Sequence, residues 1–175
     1  MEITESKIKI APMQALSHVR KNHAMEHATI HVLTKSHPKI SFAGYSAVQG
    51  FWIHGQTELQ DIQRAVEIAY ARLNNGEKQL AIHPNCGTNL AVTGLCTAAA
   101  GMLVLAAEGD DDSNFERFSA LTSAGLLGAF AARSLGPEAQ KRVTTDADVS
   151  RLSIVSINCS SLRGKPVFFV KTLLD

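Results

Sequence analysis

The chain has 175 residues, room for one domain with a real core and not comfortably for two. Its 17 basic and 16 acidic residues nearly cancel, and with no basic patch and no RNA- or DNA-binding motif the sequence excludes nucleic acid as a partner. The three cysteines, Cys86, Cys96 and Cys159, are odd in number and far apart. The opening MEITESKIKI carries acids and no apolar run, so neither a secretory signal nor a disulfide framework is expected, and the compartment is reducing.

The first predicted element is a helix. Pro12 suits its first turn, where a missing N–H costs nothing, and the periodic run MQALSHVRKNHAMEHATIHVLTK stops before Pro38. Two short strands near Ile40–Ala43 and Phe51–His54 follow as a hairpin, bracketed by Gly44 and Gly50. Thr57 and Gln60 have the spacing of a capping box. Leu59, Ile62, Val66, Ala69 and Leu73 then repeat at helical spacing, and Asn75-Gly76 supplies a left-handed end. Gln79–His83 reads as a third strand.

The composition then changes. Asn89 to Ala107, NLAVTGLCTAAAGMLVLAA, is uncharged, and so is Phe118 to Ala132, FSALTSAGLLGAFAA. Between them lies a short linker with Asp110, Asp111 and Asp112. The first run is near the lower limit for crossing ~30 Å of hydrocarbon; the second needs Ser134-Leu135 and a snorkelling Arg133. Gly94, Gly101, Gly125 and Gly128 would let the two helices approach closely. An acidic linker, with Arg72, Lys78, Arg133, Lys141 and Arg142 on the outer flanks, predicts a transmembrane hairpin with both ends in the cytoplasm. A buried hairpin in a soluble core is the competing expectation.

LSIVSIN and PVFFVKT, near the C-terminus, read as two strands that join the sheet begun upstream. The expected fold is α+β: a small sheet packed on two helices, split in sequence by the helical hairpin. The corresponding segments are 1–88, 89–136 and 137–175.

Within the first helix, NHAMEHATIH places His23, Glu26 and His27 in the order H-x-x-E-H, on one face with Leu16, Val19 and Ile30. Burying two imidazoles and a carboxylate demands partners. One solution is a metal: His at i and i+4 can share a zinc ion, and a neighbouring Glu can act as general base. His31 lies too far along the helix to join the ion that His23 binds. A second cluster, IHPNCGTN, offers His83 or Cys86 as a third ligand, with Cys86 just before a helix start. Cys96 and Cys159 read as packing residues, His54 as a weaker candidate and Trp52 as core.

H-x-x-E-H resembles the motif of the inverzincin, insulinase-like metallopeptidases. That resemblance implies zinc on His23 and His27 and a base in Glu26. It covers five residues, and this chain is much too short for that fold. VRKNHAMEHATIHVL, GFWIHG, LAIHPNCGTNL and VTTDAD resemble blocks of a bacterial membrane-associated family of unknown function. This implies that the helix, the HPNCGTN loop and the VTTDAD segment belong to one design, with Asp146 a further carboxylate, and brings no activity with it. Three functions follow from these readings. One is a membrane-anchored zinc protein acting on peptide or protein as a hydrolase. The second is a non-catalytic membrane scaffold or assembly factor held by a His/Glu network. The third is a thiol role for Cys86.

Overall fold

A computed structural model describes residues 12–107 and 113–174. The opening MEITESKIKI and the acidic linker with Asp110, Asp111 and Asp112 lie outside the described residues. The chain divides into two compact units, Met1–Ala81 with Thr145–Asp175, and Ile82–Thr144.

The first unit is α+β. Its elements are α1 (Pro12–Ser36), β1 (Ala43–Ala47), β2 (Gly50–His54), α2 (Leu59–Asn74), a 3-10 turn (Lys78–Ala81), β3 (Leu152–Leu162) and β4 (Lys165–Leu174). The sheet is antiparallel, in the order β1-β2-β4-β3, so the C-terminal strands extend the N-terminal hairpin as the apolar pattern predicts. Alternation sorts its faces: Phe51, Ile53, Phe168 and Val170 are buried in the core with Met25, Leu33, Ile62 and Val66 from α1 and α2. Trp52 takes the opposite parity. It lies on the outer face, its ring stacked 6.0 Å from Tyr45 and tilted 4.5 Å from Phe169, rather than in the core expected of it.

Helix α1 is buried on nearly every side from Lys21 to Leu33. It enters the core with polar groups, and each needs a partner. Thr172 Oγ1 donates to Asn22 Oδ1 at 2.7 Å, so the hydroxyl must accept from His18 Nε2–H at 3.0 Å. Lys21 donates to Asp146 Oδ2 at 2.8 Å and to the Asp148 carbonyl. These bonds tie α1 to the C-terminal part of the unit. Leu16, expected on the inner face, is instead 56% exposed because the packed part of the helix begins further on.

Burial of His18 lowers its pKa from the ordinary 6.5. Protonation therefore favours the unfolded chain, and His18 contributes stability above pH 6.5 that is lost as pH falls below that value toward the lower folded pKa. Thermal unfolding across this range should show the loss, and His18→Gln, which keeps a donor for Thr172 but does not titrate, should flatten the slope.

Two local expectations are corrected. Residues 79–83 do not form a strand. Leu80 and Ala81 are both buried, and adjacent residues can face one core in a helical turn but not in an alternating strand. Thr57 does not cap α2 either. Its hydroxyl donates to Asp61 Oδ2 at 2.8 Å, and Glu58 is the cap residue without a side-chain bond.

The second unit holds α3 (Gly87–Ala107), α4 (Asn114–Ala139) and a π turn (Gln140–Thr144). Ser113 and Glu116 form a capping box at the start of α4, which continues well past Ala132 and carries Pro137 inside. The two helices pack closely where side chains are smallest: a Cβ on Gly128 would lie 2.6 Å from the Cys96 carbonyl oxygen. No residue of α3 is buried. Among the described residues α3 is the one helix long and apolar enough to cross a membrane, with a mean hydropathy of 2.0 in its most apolar stretch.

Candidate metal centre

The site begins on α1. Residues 23 and 27 are one helical turn apart, so their rings meet: the centroids of His23 and His27 are 4.3 Å apart, edge to face. His27 is buried, and its Nδ1 lies 2.8 Å from the Ala81 carbonyl oxygen. A carbonyl can only accept, so Nδ1 carries the proton and the ring lone pair is on Nε2. A backbone carbonyl orienting the second ring nitrogen is the usual support for a metal-binding histidine.

Glu26 takes another direction. It is buried, and Ser46 Oγ donates to its Oε2 at 2.6 Å. A Cβ on Gly44 would lie 2.8 Å from the Glu26 side chain and 2.6 Å from the Trp52 carbonyl oxygen, so only glycine lets β1 close over this carboxylate.

The HPNCGTN loop begins one residue after the 3-10 turn, and four residues separate Cys86 from Ala81. The chain itself therefore tethers Cys86 within about 18 Å of the residue that orients His27. Thr88 N–H donates to Cys86 Sγ at 3.4 Å in the first turn of α3, a place that favours negative charge on sulfur. Asn85 N–H donates to His83 Nδ1 at 3.3 Å, which occupies that ring nitrogen locally.

His23 and His27 both belong to the first unit, and imidazoles one helical turn apart can share one metal ion. Cys86 and His83 lie on the loop that opens the second unit. Glu26 is turned to Ser46, and Asp146 is engaged with Lys21.

The loop is held by residues that no motif announces. The buried Gln140 side chain accepts from His83 N–H at 2.9 Å, and its amide donates to the His83 carbonyl at 3.1 Å and to Asn89 Oδ1 at 2.6 Å. Asn89 in turn donates to the Pro84 carbonyl at 2.7 Å. Removing this clamp with Gln140→Ala leaves polar groups without partners, at a cost of about 1–3 kcal/mol. Amide exchange at His83 should then rise by roughly 5- to 140-fold, since 1.4 kcal/mol is a factor of ten. Ser46, the Ala81 carbonyl and Gln140 were invisible beforehand. A carbonyl has no residue signature, and a lone Ser or Gln becomes informative only once its neighbour across the fold is known.

Residues 18–157 match the family described as Domain of unknown function (DUF6391). An uncharacterized protein of Picosynechococcus sp. is 38% identical over 171 residues, covering 91% of this chain and 81% of that protein. No solved structure matches.

Proposed function

The chain belongs to this DUF6391 family, whose membership carries no activity, and we propose from the site itself that the protein is a membrane-anchored zinc protein of the hydrolase type. The observation that carries the reading is the His23–His27 pair, one helical turn apart, with His27 oriented through Nδ1 by the Ala81 carbonyl. A catalytic zinc takes three protein ligands and keeps one position open, and Cys86 or His83 of the HPNCGTN loop is the proposed third ligand.

Zinc held there would supply Lewis-acid polarisation of a carbonyl and acidify a water molecule. The chain's own residues do the rest. The Ala81 carbonyl keeps His27 in the tautomer that presents Nε2. The Thr88 amide favours the thiolate of Cys86. Glu26 is the carboxylate next to His27 in sequence and the candidate general base for a peptide or protein substrate. The Ser46 hydroxyl fixes one of its oxygens.

That same bond favours a second reading, in which Glu26 is a packing residue under β1 and the protein is a non-catalytic membrane scaffold or assembly factor. A thiol role for Cys86 is a third. Elemental analysis of protein purified without chelators separates them. The zinc reading expects close to one equivalent of metal; a wild-type protein that holds none after exposure to zinc removes it.

A further inference from the structure

The turn joining β3 to β4 consists of Arg163 and Gly164, with Leu162 paired to Lys165 on either side. Both turn residues have positive φ, 53° and 76°. This is the tight hairpin geometry in which Asn-Gly or Asp-Gly is the favoured pair. An arginine is an uncommon occupant of the left-handed region, where its Cβ crowds the backbone. The hairpin alone gives no reason for Arg163.

Its surroundings do. Arg163 borders a cleft of about 590 Å3 in the first unit, lined also by Lys39, Lys165 and His54, with Ile40 and Pro166 among the apolar walls. No Asp or Glu lines it. Among the described residues no carboxylate forms an ion pair with Lys39, Arg163 or Lys165. Three fixed positive charges around one concavity repel each other and focus their field into it. Backbone strain under one of them adds to the cost, and a bound counter-anion relieves the repulsion. A forked guanidinium beside two compact ammonium groups matches the oxygens of a phosphate.

We propose that this cleft binds a phosphate-bearing ligand, either a soluble phosphate ester or the phosphate of a lipid headgroup, with Arg163 as its principal contact. The site is separate from the metal centre and does not depend on it.

The test uses the full chain and two variants, Arg163→Asn and Lys165→Gln. Asparagine suits the turn better than arginine, so Arg163→Asn should unfold at the same temperature or higher. Titration calorimetry with inorganic pyrophosphate reads the soluble arm. Flotation with phosphatidylcholine vesicles, with and without phosphatidylglycerol, reads the lipid arm; retention on both vesicle types alike reflects apolar anchoring and not this cleft. The expected result is salt-sensitive binding in one arm, weakened at least about tenfold by Arg163→Asn and less by Lys165→Gln. Pyrophosphate binding identifies a soluble ester, and phosphatidylglycerol-dependent flotation identifies a headgroup. Absence of both in the wild type, or binding that Arg163→Asn leaves intact, overturns the proposal.

Discussion

His27→Ala is expected to lose most of its bound metal. The substitution removes the imidazole whose Nδ1 is fixed by the Ala81 carbonyl, and with it one of the three ligands proposed for the site. Two remaining protein ligands do not make a zinc site of either known type. Glu26→Gln should behave differently. The amide keeps the shape under Gly44 and an oxygen for the Ser46 hydroxyl, so metal should stay. If Glu26 is the base, hydrolytic activity should fall at least about a hundredfold, the usual scale for losing one. His31→Ala should leave the metal content unchanged, because residue 31 is about 12 Å along the helix from residue 23. A purely structural His/Glu network gives another pattern: no stoichiometric metal in the wild type, and each buried substitution costing ~1–3 kcal/mol. Elemental analysis beside thermal unfolding of the four proteins distinguishes the two.

The second large effect is retention in the membrane. The protein is expected to stay with membranes through carbonate washing and to require detergent for extraction. Helix α3 has 21 residues, a length of about 31 Å at 1.5 Å per residue, close to the hydrocarbon thickness. It buries none of them, and Leu90, Leu95 and Leu103 are each at least 70% exposed. Leaving that surface in water costs about 25 cal/mol per Å2, far more than a monomeric soluble protein ordinarily tolerates in one patch. A cysteine at Asp111 should label from outside intact cells. A soluble, monodisperse protein without detergent would show that α3 is covered by protein instead. Labelling of position 111 only after lysis would reverse or abolish the orientation.

The sequence by itself determined the elements whose period is strong. Pro12 and Pro38 framed α1, the 3.6-residue repeat from Leu59 to Leu73 framed α2, and the uncharged run ending at Ala107 framed α3. In α2 local chemistry and burial agree, whereas the apolar run of α3 is buried nowhere. PVFFVKT and LSIVSIN were legible as strands, and their return to the N-terminal hairpin followed from the need to complete a sheet. The pairing of His23 with His27 was also legible, because i and i+4 are neighbours on any helix.

Tertiary structure decided what depends on residues far apart in the chain. It clamped the HPNCGTN loop through Gln140, whose side chain bonds both the N–H and the carbonyl of His83. It turned Glu26 toward Ser46 and Gly44, a direction that spacing on a helix does not fix. It placed Trp52 on the outer face, since alternation gives two faces but not which one the helices cover. It made residues 78–81 a helical turn, because both Leu80 and Ala81 had to reach one core. Helical and strand periods are written locally; the partner that satisfies a buried nitrogen, carboxylate or carbonyl is set only when the chain closes on itself.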